Sequence, residues 1–137
     1  MTRNSSIASL GRYEILAELG KGAMGVVYKA RDPMLDRVVA IKTVNLTLPK
    51  DERAEYEARF YQEAKAAGGL SHRNIVTIYD IGRSESIAYM AMEFLEGDEL
   101  RDLLQARAPI ALSRALDIGA QVAEGLQYAH SRRIIHR

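Results

Sequence analysis

The sequence predicts an α+β fold: a five-stranded antiparallel sheet with one packed helix, followed by two further helices. Residues 11–19 have apolar side chains at every second position, a period typical of strands. A glycine cluster separates this segment from a second β-forming segment at residues 26–28. One helical stretch, residues 51–67, then divides the first three predicted strands from the last two.

The remaining elements follow from similar patterns. Further strands are predicted at residues 38–44, 75–81 and 87–94, and further helices at residues 98–105 and 113–131. A turn near Gly82-Arg83 separates the last two strands. The first helix is expected to end in a left-handed cap at Gly68-Gly69, and the second to start at an acidic cap, Asp98.

Composition indicates a soluble globular protein. Hydrophobic residues make up 47% of the 137 residues, charged residues 27%, and the net charge of +1 is too balanced for a nucleic-acid surface. The chain has no cysteine, which excludes disulfides and thiolate metal sites. The longest apolar run, 87–92, is too short to span a membrane, and the Ser-rich residues 1–10 resemble a flexible tail rather than a signal peptide. We therefore expect a cytoplasmic protein without a nucleic-acid partner, although an anchor beyond residue 137 stays open.

The first candidate site is the glycine cluster Gly20-x-Gly22-x-x-Gly25. Alone, this pattern also fits an ordinary flexible turn. In a dinucleotide-binding fold such glycines open a helix, whereas here the β-forming residues 26–28 follow at once. The context therefore favours a hairpin, and a glycine-rich hairpin lets backbone N–H groups approach a triphosphate closely.

A lysine and a glutamate occupy unusual positions further along. Strand alternation places Lys42 on one face with Val38 and Ala40, and helical spacing places Glu63 in a stripe with Tyr56, Phe60 and Ala67. Each charge is open to an ordinary alternative, in which the side chain bends out to water. Because both lie on otherwise apolar faces, we expect Lys42 and Glu63 to form an ion pair.

These motifs, in this order and spacing, resemble the protein kinase signature. The match rests on the glycine loop 20–27, Val39-Ala40-Ile41-Lys42, Glu63 and the closing His136-Arg137, and it extends over residues 11–137. Residues 19–30, 70–76 and 92–97 look most similar to bacterial Hanks-type (eukaryotic-like) serine/threonine protein kinases. One departure is Arg73, where family members commonly have proline.

The resemblance implies roles for particular residues. The loop residues Gly20, Lys21, Gly22, Ala23, Met24 and Gly25 would cover the phosphates of ATP. Lys42 would contact the α- and β-phosphates while Glu63 holds it. The adenine and ribose would meet Val27, Ala40, Met92 (as gatekeeper), Glu93, Leu95 and Glu99. Val27 and Met92 are equally compatible with plain core positions.

The resemblance also implies cofactors, partners and domains. The expected cofactors are ATP and Mg²⁺, with the Mg²⁺ ligands beyond residue 137, and the expected partners are protein substrates with Ser or Thr and a second kinase domain. Residues 1–10 would form the tail, 11–95 the small lobe, and 96–137 the hinge exit and the beginning of a truncated large lobe. The family's catalytic Asp would follow Arg137. We therefore expect a serine/threonine kinase represented by an incomplete catalytic domain that is inactive alone. The alternative is a non-catalytic nucleotide-binding or interaction module.

Overall fold

A computed structural model describes residues 7–22, 25–45, 47 and 49–136. They form two compact units. The first unit contains the described residues up to Gly69 together with Thr77–Phe94, and the second contains Leu70–Val76 and the described residues from Leu95 onward.

The described residues of the first unit form one antiparallel sheet of six strands. The strands are β1 (Ser9–Leu10), β2 (Tyr13–Lys21), β3 (Val26–Asp32), β4 (Arg37–Asn45), β5 (Ile78–Ser84) and β6 (Ile87–Glu93), in the spatial order β1-β2-β3-β4-β6-β5. Every neighbouring pair is antiparallel, which confirms the predicted sheet and its α+β class.

The strand β1 differs from the prediction. Residues 9 and 10 were assigned to a flexible tail, but they pair with Glu14 and Tyr13, and Leu10 is only 2% exposed. Gly11, with φ of 55°, turns the chain back between the two strands, a conformation that glycine adopts without strain. Burial of Leu10 against the core accounts for the extra strand. The rest of the predicted tail, residues 1–6, lies outside the described residues.

The strand β2 does not keep the simple alternation expected of it. Its register shifts between Ile15 and Ala17 and again between Glu18 and Gly20. Each β-bulge adds one residue to the strand and moves the following side chains to the other face. Tyr13, before both bulges, is buried, whereas Leu19 is the unpaired residue of the second bulge and is 49% exposed.

The described residues contain three helices, α1 (Lys50–Gly68), α2 (Leu100–Gln105) and α3 (Leu112–Ser131). Their ends differ from the predicted caps. Gly69 has φ of −89° and is right-handed, so the left-handed cap is wrong. Glu99 rather than Asp98 is the N-cap of α2, and it makes no side-chain cap hydrogen bond. The turn between β5 and β6 lies at residues 85–86, where Glu85 has φ of 51°, and not at Gly82-Arg83.

Two apolar clusters lie on opposite faces of the sheet. The first contains Leu10, Tyr13, Ala30, Val39, Ile41, Tyr89 and Ala91. The second contains Val44, Ala88 and Met90 from the sheet together with Phe60 and Ala64 from α1. The helix α1 therefore covers the same sheet face that carries Lys42, since residues 42 and 44 of β4 point the same way.

A buried carboxylate fixes the turn between β3 and β4. Asp32 is fully buried, pairs with Arg12 at 3.2 Å, and accepts the backbone N–H groups of Met34 and Leu35. Burial opposes ionisation, but these hydrogen bonds outweigh it and lower the pKa of Asp32. The carboxylate thus joins the start of β2 to the end of β3.

In the second unit, the segment Leu70–Val76 packs on α3. Asn74 Nδ2 donates to the Gln121 carbonyl at 2.8 Å, Arg73 pairs with Glu124 at 2.9 Å, and the rings of His72 and Tyr128 lie 5.1 Å apart. The hydrogen bond from Arg73 is the main reason why the pKa of Glu124 is lowered. Arg73, at the family's usual proline position, therefore contributes an ion pair to this packing. The strand predicted at residues 75–81 begins only at Ile78, so residues 75–77 are not in a strand.

None of the helices in the described residues is long and apolar enough to cross a membrane.

Candidate functional site

The glycine cluster lies in the hairpin that joins β2 to β3. Gly20 pairs with Val27 and Lys21 with Val26, and the Gly22 N–H donates to the Gly25 carbonyl at 2.9 Å. Strand, not helix, follows the glycines, so the predicted hairpin is confirmed. Ala23 and Met24 lie outside the described residues.

The three glycines meet different surroundings. A Cβ on Gly20 would have nothing within 4 Å, and one on Gly22 would only touch the Gly25 carbonyl at 4.0 Å. A Cβ on Gly25 would lie 2.0 Å from the Thr43 carbonyl oxygen, a distance that no real contact allows. The hairpin therefore requires glycine at Gly25 because its backbone passes directly over β4.

The sequence analysis missed Thr43, which follows Lys42 on β4. Its hydroxyl donates to the Val26 carbonyl at 2.7 Å and accepts the Val26 N–H at 3.0 Å. Thr43 is 6% exposed and is one of two buried polar or charged residues in the described part of the chain. The only sequence signal was a hydroxyl-bearing residue on the core face of a predicted strand.

Lys42 and Glu63 form the expected ion pair. Lys42 Nζ lies 3.1 Å from Glu63 Oε2, so β4 and α1 are joined by this pair. The expected apolar surroundings of Glu63 are wrong, however, because its side chain is 58% exposed and that of Lys42 is 37% exposed. An exposed pair stabilises a fold by only about 0–1 kcal/mol. The main effect of the Lys42–Glu63 pair is therefore to orient the ammonium group of Lys42.

A cavity of about 290 Å³ lies between the hairpin, β4 and α1. Its lining residues are Gly22, Gly25, Val27, Lys42, Thr43, Val44, Tyr56, Arg59, Phe60 and Glu63. Two glycines, an oriented ammonium group and apolar walls suit an anionic group with an apolar neighbour. The sequence analysis did not assign Arg59 or Val44 to any site, because a helix-surface arginine and a strand valine carry no distinguishing pattern.

Cross-strand pairing brings four of the predicted site residues together. Val27 lies opposite Lys42, Ala40 lies opposite Met92, and paired residues point to the same face. Ala40 and Lys42, two positions apart, share that face. Val27, Ala40, Lys42 and Met92 therefore form one continuous surface on the side of the sheet that α1 packs against.

The remaining predicted positions are Glu93, Leu95 and Glu99. The Glu93 N–H donates to the Thr77 carbonyl at 2.9 Å, and its carboxylate accepts the Thr77 N–H at 3.3 Å. Leu95, 59% exposed, and Glu99 belong to the second unit. The predicted contacts of Glu93, Leu95 and Glu99 with a nucleotide stay predictions.

The described residues contain no group of three or more His, Cys, Asp or Glu side chains that could hold a metal ion.

The antiparallel sheet with its single packed helix has the architecture of the small lobe of a protein kinase. Residues 13–137 match the family described as "Protein kinase domain". The chain belongs to the protein kinase family, and its first helices after the sheet correspond to the start of the large lobe. This family uses ATP and a divalent metal ion in general.

The chain is similar to curated bacterial kinases. It is 42% identical over 127 residues to "Serine/threonine-protein kinase PrkC" of Bacillus subtilis, which covers 93% of this chain and 19% of that protein. It is also 42% identical to "Probable serine/threonine-protein kinase PknB" of Lactococcus lactis, over 92% of this chain and 20% of that protein. For "Serine/threonine-protein kinase PknJ" of Mycobacterium tuberculosis the identity is 41%, over 91% of this chain and 21% of that protein. The chain thus spans about a fifth of the length of these relatives.

Proposed function

We propose that this chain forms the ATP-binding part of a serine/threonine protein kinase, which transfers the γ-phosphoryl group of ATP to protein hydroxyls. The observation that carries the proposal is the Lys42–Glu63 ion pair, 3.1 Å long, in a cavity that the pair shares with Gly22 and Gly25. A lysine oriented by a carboxylate beside a glycine hairpin offers fixed positive charge to phosphate oxygens. The names of the bacterial relatives support the same function.

We propose that some of the site residues bind the phosphates of ATP and the others bind its adenine and ribose. Lys42 binds the α- and β-phosphates, and Glu63 keeps its ammonium group in position. The hairpin residues Gly20, Lys21, Gly22, Ala23, Met24 and Gly25 cover the phosphates. Val27, Ala40 and Met92 contact the adenine, Glu93 and Leu95 hydrogen-bond its edge, and Glu99 meets the ribose.

We further propose that residues 11–95 act as the small lobe, and 96–137 as the hinge exit and beginning of the large lobe. A divalent ion neutralises phosphate charge in this family. The position of the family's catalytic Asp, which follows the His-Arg pair, lies outside residues 1–137. Residues 1–137 alone should therefore bind ATP without transferring its phosphoryl group.

The test uses the full chain that contains these residues, with ATP, Mg²⁺ and a generic protein substrate. Lys42→Met should lower transfer at least ~100-fold, because removing one positioned electrostatic group from a reaction site costs about that much. The matched control is Lys65→Met, since Lys65 is an exposed lysine in the last turn of α1 that does not line the cavity. Acid hydrolysis of the product should yield phosphoserine or phosphothreonine.

The role of Lys42 would be refuted if Lys42→Met transferred phosphoryl groups at the wild-type rate. It would also be refuted if Lys65→Met lowered the transfer rate as much as Lys42→Met does. Phosphotyrosine as the product would refute the serine/threonine assignment. ATP binding without any transfer by the wild-type full chain would support the alternative of a non-catalytic nucleotide-binding module.

A further inference from the structure

The end of the glycine hairpin is attached to β4 by a side chain instead of a backbone ladder. The paired residues of β3 and β4 run from Asp32↔Arg37 to Val27↔Lys42 and stop there. The next residue of β3, Val26, directs both its N–H and its carbonyl at the Thr43 hydroxyl, at 3.0 and 2.7 Å. One hydroxyl thus replaces the next rung of the ladder.

Thr43 lies in the interior of the sheet, on the strand between β3 and β6. It pairs with Tyr89 of β6, and its side chain is almost fully buried, with 6% exposure. The hydroxyl uses both its donor and one acceptor site on Val26, so nothing else needs to satisfy it. A valine of nearly the same shape would fill the space but would leave the Val26 N–H and carbonyl without this partner.

The hairpin also rests on the backbone of the same residue. Gly25 approaches the Thr43 carbonyl so closely that a Cβ would come within 2.0 Å of it. Thr43 directly follows Lys42. One short segment of β4 therefore carries the proposed phosphate-binding lysine and also contacts the hairpin. The cavity that contains Lys42 is lined by Gly25 and Thr43 as well.

We propose that Thr43 is a positioning residue for nucleotide binding. Its hydroxyl fixes the distance between the glycine hairpin and Lys42. This inference rests on the proposed function, because the hairpin and Lys42 are the proposed phosphate contacts. The hydroxyl does not touch the nucleotide. It acts through Val26 and Gly25, and holding the hairpin in one geometry reduces the ordering that ATP binding must supply.

The ordinary alternative is that Thr43 is a β-branched residue that merely packs well in a strand. Thr43→Val and Thr43→Ser separate the two, since the first keeps the shape and loses the hydroxyl, and the second keeps the hydroxyl. The control is Thr47→Val, because Thr47 is exposed and its hydroxyl donates to Asn45 Oδ1, two residues away, at 2.8 Å.

The experiment measures three quantities on the full chain, the hydrogen-exchange rate of the Val26 amide, the Kd for ATP and the KM for ATP, and compares them with kcat. Thr43→Val removes both hydrogen bonds to Val26, so it should speed Val26 exchange and raise the Kd and KM at least about tenfold, while kcat falls less. Thr43→Ser should restore all three to within about threefold, and Thr47→Val should match wild type. If Thr43→Val is too unstable to assay, Thr43→Cys replaces it, because a thiol of similar size is only a weak hydrogen-bonding group.

Faster Val26 exchange with unchanged ATP affinity would overturn the proposal and leave Thr43 a structural residue. Failure of Thr43→Ser to restore affinity would overturn it as well. If the wild-type chain binds ATP but transfers nothing, the kinase proposal fails, yet the exchange and Kd measurements still decide the role of Thr43.

Discussion

At the scale of single residues, the glycines of the hairpin should not be equivalent. Gly25→Ala would force a Cβ against the Thr43 carbonyl oxygen, with 2.0 Å between them, so the hairpin must shift. We expect a stability loss of roughly 1–3 kcal/mol, as for other overpacked sites, and weaker ATP binding. Gly20→Ala meets open space and should change the free energy of unfolding by less than about 1 kcal/mol. Chemical denaturation of both variants measures the difference, and equal stability losses would contradict this account.

The buried tyrosine Tyr13 should give stability a dependence on alkaline pH. Burial and a hydrogen bond to Asp80 Oδ2, 3.1 Å long, raise the pKa of Tyr13 from 10.0 to about 12. A raised pKa stabilises the fold fully below pH 10, and this contribution is lost as the pH rises towards about 12.

Tyr13→Phe should therefore be less stable than wild type at pH 8, and the gap should narrow by roughly 1–1.5 kcal/mol at pH 11. Urea denaturation at both pH values measures it. A gap that is the same at the two pH values would show that the folded and unfolded forms ionise Tyr13 equally.

Contacts between residues were predictable from sequence only where a charged residue occupied a position in a regularly spaced apolar series. Lys42 and Glu63 stood out because each is a charge among apolar neighbours at a regular spacing, and they do form a pair. The exposure of Glu63 could not be predicted, because it depends on how α1 is rotated against the sheet. Thr43 was missed because a threonine in a strand is ordinary, and its partner Val26 is defined only once β3 and β4 are paired.

At the scale of elements, the sequence predicted the main strands and helices because each has a sustained apolar period. It did not predict β1, since two residues are too few to show a period, and Leu10 is recognisable only by its burial. It also did not predict the bulges of β2, because the neighbouring strand determines which residues of a bulge stay unpaired. The turn between β5 and β6 was also placed wrongly, because the prediction relied on a glycine. The residue with positive φ in this turn is Glu85, with φ of 51°.

The packing of α3 on the segment 70–76 should depend more on an amide than on an ion pair. Asn74 is half-buried and bonds the Gln121 carbonyl at 2.8 Å, whereas the side chains of Arg73 and Glu124 are 77% and 49% exposed. Asn74→Ala should cost about 0.5–1.5 kcal/mol because the half-buried amide loses its hydrogen bond to the Gln121 carbonyl. Arg73→Ala should cost only about 0–1 kcal/mol.

Hydrogen exchange of the α3 amides in the full chain measures both effects. A larger loss of protection in Arg73→Ala than in Asn74→Ala would show that the ion pair, at the family's usual proline position, is the main link. In that case the effect should also weaken in high salt, since exposed charges are screened.

At the scale of the whole chain, the family was recognisable because several weak motifs occur in the right order. The glycine pattern alone also fits a dinucleotide fold, and a strand lysine alone is usually solvated. Together with Glu63 at a suitable spacing they identify the kinase signature, which the match over residues 13–137 confirms. The arrangement of cavity-lining residues such as Arg59 and Val44 depends on tertiary packing that no local pattern encodes.

The two compact units should differ in stability within the 137-residue polypeptide. All but two of the buried apolar residues in the described part of the chain lie in the first unit, the exceptions being Leu70 and Ala129. The helix α3 also leaves four large apolar side chains exposed, Leu112 by 75%, Leu116 by 65%, Val122 by 53% and Leu126 by 37%. An exposed side chain of this kind forgoes up to roughly 1.5–3 kcal/mol of burial.

We therefore expect the amides of α3 to exchange at least ~100-fold faster than those of β4 and β6, because α3 opens without unfolding the sheet. Native-state hydrogen exchange on the purified 137-residue polypeptide measures this, with light scattering at two concentrations to establish that it is monomeric. Equal protection of α3 and the sheet in a monomer would contradict the expectation and mean that the two units unfold together. Protection of α3 that grows with protein concentration would instead show that the exposed leucines and valine are covered by a second copy of the chain, since association stabilises whatever surface it buries.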